Sequence, residues 1–115
     1  MVEVSPERFA ELVGDALDQL PGDIVRMLDN VVIQVDEQAD GEPGLLGLYR
    51  GIALTERTSD YSFVMPDQIT VYRQPLMRIC ADENELARQI GVTVVHELGH
   101  HLGIDDARLH ELGWG

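Results

Sequence analysis

The apolar positions near the N-terminus recur with the period of an α-helix. Ser5 followed by Pro6 is a typical helix start, because serine caps free backbone N–H groups and proline is favoured in the first turn. The pattern predicts a helix that ends at Pro21-Gly22, followed by a short second helical segment over 23–28. The apolar face of the first helix comprises Phe9, Leu12, Val13, Ala16, Leu17 and Leu20.

β-Branched and alternating residues in the middle of the chain predict a small sheet. Residues 31–35 (VVIQV) read as one strand, and residues 36–44 read as an acidic loop. Residues 45–55 are expected to hold one or two short strands. A turn at Pro66-Asp67 should precede another strand over 69–72. Residues 61–65 show no clear preference.

The last long element is predicted to be a helix that crosses the whole molecule. Residues 73–81 read as the connection to it. Asp82 followed three residues later by Glu85 resembles a capping box. The helical pattern continues to Leu102, and Gly103 supplies a stop. At 1.5 Å per residue this helix would be roughly 30 Å long.

The order of helix, strands, long helix and short tail predicts an α+β fold. A small mixed sheet of three to five strands would pack against the N-terminal helix and the long C-terminal helix. No internal repeat or flexible linker interrupts the chain, so residues 1–115 are expected to form a single domain.

The charge of the chain excludes some classes of partner. Asp and Glu number 21 against eight Arg and no Lys, for a formal net charge of -13. Such a surface offers little to neutralise phosphates, so nucleic acid and anionic membranes are poor partners. No apolar run reaches the roughly 18 residues that a membrane span needs. Cys80 is the only cysteine, which excludes an internal disulfide and fits a reducing cytoplasm; a buried, unreactive role is expected for it.

The chemistry-bearing residues lie at the end of the long helix. His96-Glu97-Leu98-Gly99-His100 is an H-E-x-x-H sequence. Residues four apart share one face of a helix, so His96 and His100 can bind the same Zn²⁺ ion. Glu97 is rotated away from that direction and can take a proton from a water on the open side of the metal. A tyrosine, Tyr49, Tyr61 or Tyr72, could stabilise an oxyanion.

A third ligand is expected beyond the helix, because a catalytic zinc takes three protein ligands and leaves one position open. Gly103 permits a sharp turn, and Asp106 follows three residues later. Asp106 has the favoured spacing, while Asp105 and His110 are the alternatives. His101 points away from His100 and is expected to face solvent or to support the ligands rather than to bind the metal.

The string H-E-x-x-H-x-x-G-x-x-D from His96 to Asp106 resembles the elongated zinc motif of the metzincin clan, in the form with aspartate as third ligand. The length, acidity and layout are similar to a small bacterial family of minimal zincin-like metallopeptidases. LLGLYRGIALTER (45–57), ITVYR (69–73) and the C-terminal VVHELGHHLGIDD take part in that likeness. The resemblance implies a zincin-like fold, Zn²⁺ on His96, His100 and Asp106, Glu97 as general base, and a peptide or protein substrate. Metzincins usually have histidine as third ligand and a downstream methionine turn, and no methionine follows Asp106 here.

Two other functions remain open from the sequence. The spacing of the three ligands is similar to that of bacterial zinc endoribonucleases of ribosomal RNA maturation. Those enzymes lack a glutamate after the first histidine, and the net charge of -13 disfavours an RNA substrate. A domain that binds a partner and retains zinc only for stability is the non-enzymatic alternative. The oligomeric state is not predicted.

Overall fold

The N-terminal helix forms where its capping residues predict it. The computed structural model describes residues 1–51, 66–103 and 106–111, without the side chains of Asp106, Leu109 and His110. Helix α1 (Pro6–Asp18) has Ser5 as N-cap and proline in its first turn. The Ser5 hydroxyl accepts from the Arg8 N–H at 3.1 Å. The predicted short second helix is α2 (Gly22–Met27).

The three described strands form a mixed sheet. They are β1 (Val31–Asp36), β2 (Gly47–Arg50) and β3 (Asp67–Tyr72), in the spatial order β1-β3-β2. The central strand β3 pairs in parallel with β1 and antiparallel with β2. The predicted turn at Asp67 is wrong, because parallel pairing with β1 extends the strand to that residue. The expectations for 52–55 and 61–65 lie outside the described residues.

The connection predicted over 73–81 contains a helix, α3 (Arg73–Ile79). Pro75 lies in the first turn of this helix, where a backbone N–H has no partner within the helix. Leu76 and Met77 are buried, so this helix contributes to the core. The sequence analysis read this stretch only as a connection and did not predict the helix, which burial of these apolar residues stabilises.

The long helix α4 (Glu83–His101) is confirmed, with Asp82 as its N-cap. The Asp82 side chain accepts from the Glu85 N–H at 2.8 Å. The predicted stop is also confirmed, because Gly103 has a φ of 80°. The predicted tail contains a short helix, α5 (Asp106–Glu111). In the described part of the chain, no helix is long and apolar enough to cross a membrane.

Helix α4 packs against α1 on one side and against β2 and β3 on the other. On the α1 side, Gly91 lies close to Ala16 and Leu20, while two residues later Thr93 lies against β2. This arrangement confirms the predicted α+β fold, with the long helix as the centre of the core. Residues with no solvent exposure come from α1, β3, α3 and α4: Phe9, Ile69, Val71, Leu76, Leu86, Ile90 and Val94.

Arg73 joins the N-terminal segment to the loop after β1. Its guanidinium donates to both carboxylate oxygens of Glu37, at 2.8 and 2.6 Å, and to the Val4 carbonyl at 2.6 Å. These hydrogen bonds lower the pKa of Glu37 to about 2. The ion pair therefore persists at neutral pH and fixes both segments around the start of α3.

Candidate metal centre

The predicted site residues that belong to α4 lie at its C-terminal end; they are His96, Glu97 and His100. Leu98, between Glu97 and His100, is buried in the core. The exposed fraction of the Glu97 side chain is 19%, whereas that of His100 is 48%. The helix is therefore anchored by its apolar residues at the point where its polar residues begin to reach solvent.

The imidazole rings of His96 and His100 lie side by side. Their centroids are 4.3 Å apart, and the ring planes meet at 75°. Both residues line the same cleft. Two neighbouring imidazoles that open onto a common cavity are the nitrogen donors that Zn²⁺ prefers, so this pair fits a zinc ion.

Glu97 is directed toward strand β2. Its Cγ packs against β2 at Gly47, where an added Cβ would lie 3.3 Å away, and its carboxylate lies 4.0 Å from Nδ1 of His100. Burial raises the pKa of Glu97, while His100, His96 and the Tyr49 N–H act in the opposite direction. The carboxyl group is thus held beside the two imidazoles from the strand side.

Gly47 allows β2 to approach the motif so closely. A Cβ atom at this position would lie 2.6 Å from Cγ2 of Thr93 and 3.3 Å from Cγ of Glu97. The first distance is too short for a side chain without a shift of Thr93, and the second would require Glu97 to move by a few tenths of an ångström. The sequence analysis did not single out Gly47, although an isolated glycine in a strand is a known signal of close backbone approach.

A cleft of about 520 Å³ runs alongside the motif, a size within the range of small-molecule and peptide sites. One wall is the segment 44–47 before and at the start of β2, and the other wall is α4. At one end the cleft reaches the motif, and the other described residues of its lining are apolar or uncharged. Besides the motif residues, the lining comprises Gly44, Leu45, Leu46, Gly47, Gln89, Val92 and Thr93.

The third metal ligand stays a prediction. Gly103 turns the chain after α4, and Asp106 is the first residue of α5. Asp105 lies outside the described residues. Among the side chains that the structure describes, no group of three His, Cys, Asp or Glu is placed to hold a metal ion. The structure brings His96 and His100 together. The preference for Asp106 over Asp105 and His110 as third ligand still rests on the spacing of the motif.

Tyr49, Asp67 and His101 form a second polar cluster beside the motif. The Tyr49 hydroxyl donates to Oδ2 of Asp67 at 2.8 Å, and its ring stacks on His101 with centroids 4.0 Å apart. Burial and the bond to Asp67 raise the pKa of Tyr49 to about 12, so the phenol keeps its proton. Of the tyrosines considered for an oxyanion, Tyr49 is thus engaged with Asp67 and Tyr72 is buried in the core; Tyr61 lies outside the described residues.

Cys80 has the structural role that was expected. It is 1% exposed and belongs to the main apolar core. Burial raises the pKa of its thiol, which keeps it protonated and poorly nucleophilic. The cysteine therefore takes no part in the candidate centre.

Comparison with known proteins connects this geometry to a family. The model of the zincin-like metallopeptidase family matches residues 28–114, which include the sheet, the cleft and the motif. A solved structure, of a conserved hypothetical protein from Thermo thermophilus, is 27% identical with a TM-score of 0.57. The match covers 86% of this chain and 94% of that chain. No match was found among the curated proteins.

Replacing either motif histidine with alanine should abolish stoichiometric zinc binding. The wild-type chain should hold about one Zn²⁺, because convergent ligands of this kind form a single site. His101→Ala is the matched control, since the His101 ring stacks on Tyr49, and it should keep its zinc. Elemental analysis of dialysed protein measures the metal content. A tightly held zinc in His96→Ala would place the metal site elsewhere.

Asp106→Ala should weaken zinc binding much more than Asp105→Ala. The expectation rests on the turn at Gly103 and on the spacing of the motif. Loss of one of three ligands should reduce the affinity by orders of magnitude, whereas the neighbouring residue should be nearly neutral. Competition with a chromophoric chelator measures both affinities. Equal affinities would show that Asp106 is not the third ligand.

Proposed function

This chain belongs to the zincin-like metallopeptidase family, and from that premise we propose that it is a zinc-dependent peptidase. His96, His100 and Asp106 are the proposed metal ligands, and Glu97 is the proposed general base. The substrate class is a peptide or protein segment that lies in the cleft between residues 44–47 and α4.

The observation that carries the proposal is the placement of Glu97 beside two convergent imidazoles. A glutamate that served only helix stability would have no need for burial or for a partner outside its own helix. Here its side chain is only 19% exposed, and it packs against strand β2 at Gly47. Such a fixed carboxylate at the edge of a cleft is the arrangement that general-base catalysis requires.

The metal ion and the residues around it would have separate roles in peptide hydrolysis. A zinc ion bound there would polarise the scissile carbonyl and acidify the attacking water. Glu97 would take the proton from that water and deliver it to the nitrogen of the leaving amine. The packing of β2 against Glu97 at Gly47 would keep the carboxylate in the same place for both transfers.

The cleft supports a peptide rather than a nucleic acid as substrate. Apart from the motif residues, the part of the lining that the structure describes carries no charged side chain and no arginine. A phosphate backbone would find no cation among these residues to neutralise it. An extended peptide with small or apolar side chains fits a cleft whose walls carry Leu45, Leu46 and Val92.

Glu97→Gln should keep its fold and its zinc but lose peptide cleavage. Glutamine has nearly the same size and can pack against β2 in the same way, but it cannot take the proton of the water. The expected loss in kcat is at least about 10²-fold, the lower bound for a positioned general base. The assay is digestion of a broad peptide library, read by mass spectrometry at matched zinc occupancy.

Glu85→Gln is the matched control, because Glu85 is an exposed residue in the first turn of the same helix. It should cleave like the wild type. Full activity of Glu97→Gln would remove Glu97 from the mechanism. A wild type that cleaves no peptide when loaded with zinc would contradict the peptidase proposal and favour a zinc-stabilised binding domain.

Gln89→Trp should block the cleft without affecting the metal. Gln89 lies seven residues before His96, on the same side of α4, and lines the cleft. An indole in this position should lower kcat/KM at least about tenfold, which corresponds to about 1.4 kcal/mol, at unchanged zinc content. Asn84→Trp is the control, because Asn84 lines a separate groove beside α1. Equal kinetics for the two variants would exclude the cleft as the substrate site.

A further inference from the structure

Three side chains from three separate elements meet at the end of α4. Tyr49 comes from β2, Asp67 is the first residue of β3, and His101 is the last residue of α4. The Tyr49 hydroxyl donates to Oδ2 of Asp67 at 2.8 Å. The Tyr49 ring stacks on the His101 ring at 10°, with centroids 4.0 Å apart, and Nε2 of His101 lies 4.0 Å from the same Oδ2. The cluster therefore joins the last turn of the helix to two strands.

The last turn of α4 extends beyond the apolar core. Leu98 is buried, whereas the side chains of His100 and Leu102 are about half exposed. The carbonyl groups of a last helical turn have no partners further along the helix, so such a turn opens more easily than the helix interior. The contact from His101 to the sheet opposes this opening in the turn that carries His100.

A zinc site on His96 and His100 depends on that turn remaining closed. The two imidazoles lie on one face only while the helix continues through residue 100. Opening of the turn would take the His100 ring away from its place beside His96, where the ring centroids are 4.3 Å apart. A site that is ordered before the metal arrives binds it more tightly, because the free energy of ordering is not subtracted from that of binding.

We propose that the cluster of Tyr49, Asp67 and His101 anchors the last turn of α4 to the sheet and thereby preorganises His100 for the metal ion. His101 and Tyr49 are positioning residues, and Asp67 fixes the Tyr49 hydroxyl. The consequence for metal binding rests on the zinc centre of the proposed function. The anchoring itself is a property of the metal-free chain and is measured without zinc or substrate.

The first measurement is amide hydrogen exchange, followed by NMR in the ¹⁵N-labelled, metal-free full chain. The Leu102 N–H donates to the carbonyl of Leu98 at 3.0 Å. The Gly103 N–H donates to the carbonyl of His100 at 3.1 Å, so both amides report whether the turn is closed. His101→Leu removes the stacked ring and should speed exchange of both amides roughly three- to tenfold, the range expected for the loss of one aromatic contact.

The second measurement is zinc affinity, by competition with a chromophoric chelator. His101→Leu should raise the Kd for Zn²⁺ roughly three- to tenfold, because the turn is closed for less of the time. A change of this size leaves about one zinc per chain after dialysis, as expected for His101→Ala, so it is visible only in competition. Tyr49→Phe keeps the ring but loses the bond to Asp67, and it should raise the Kd at least about twofold, the lower end for one hydrogen bond.

Matched variants separate this role from metal ligation and from general stability. His101→Phe keeps a stacked ring without a ring nitrogen, so it should retain the exchange rates and zinc affinity of the wild type. Tyr72→Phe removes the same hydroxyl from the neighbouring strand and should change neither measurement. The amides of Ile90 and Val94, in the buried part of α4, should exchange alike in all variants.

Four results would overturn the proposal. One is exchange at residues 102 and 103 that is as slow in His101→Leu as in the wild type. Equal acceleration at these amides and in the core would indicate a general loss of stability instead. Faster exchange with an unchanged Kd would separate the turn from metal binding. An equal loss of affinity in His101→Leu and His101→Phe would make His101 a ligand.

Failure of the zinc centre gives a different result from failure of the anchoring. A wild type that binds no zinc would defeat the proposed centre, and with it the role of the cluster in metal binding. The exchange rates of the metal-free chain would still decide whether the cluster anchors the turn.

Discussion

The close contact between β2 and the middle of α4 is the constraint on which the candidate centre depends. At Gly47 the strand lies so near the helix that a Cβ would be 2.6 Å from Thr93 Cγ2. Successive strand residues alternate between faces, so the side chains at 47 and 49 face the same side of the sheet. The contact at Gly47 thus brings Tyr49 over the turn that carries Glu97 and His101. The geometry of the proposed base is set by a strand contact as well as by its own helix.

Opposing electrostatic effects meet at Glu97. Burial favours the neutral acid, while the neighbouring imidazoles and the Tyr49 N–H favour the carboxylate. Contact with strand β2 suits this balance, because packing at Gly47 orients the side chain without adding a full positive charge. An arginine in that place would hold the carboxylate as firmly as Arg73 holds Glu37, with a strongly lowered pKa. The contact with the strand leaves the group able to accept and release a proton.

The features that could be predicted from the sequence are those encoded locally. Caps at Ser5 and Asp82 and the stop at Gly103 mark helix ends with side chains that act within a few residues. The pair His96 and His100 needs only helical periodicity. The remaining features depend on residues that are distant in the sequence. Strand β3 begins at Asp67 because β1 pairs with it. Helix α3 forms because Leu76 and Met77 are buried in the core. The cluster of Tyr49, Asp67 and His101 joins residues that are 18 or more positions apart, so no local sequence pattern predicts it.

The position of the motif along α4 follows from where the helix leaves the core. Ile90 and Val94 have no exposed surface, and Leu98 is 3% exposed, but Leu102 is 51% exposed. An imidazole turned onto this core face would be enclosed by apolar side chains, where an unpaired polar group is costly and neither metal nor substrate has access, whereas the face that carries the motif lines the cleft from Gln89 onward. One turn later the helix has ended at Gly103, and residues four apart no longer share a face. The interval between these limits is rigid on its core side and open on its cleft side. A two-histidine site with an adjacent base needs both properties, and in α4 the motif occupies the interval that offers them.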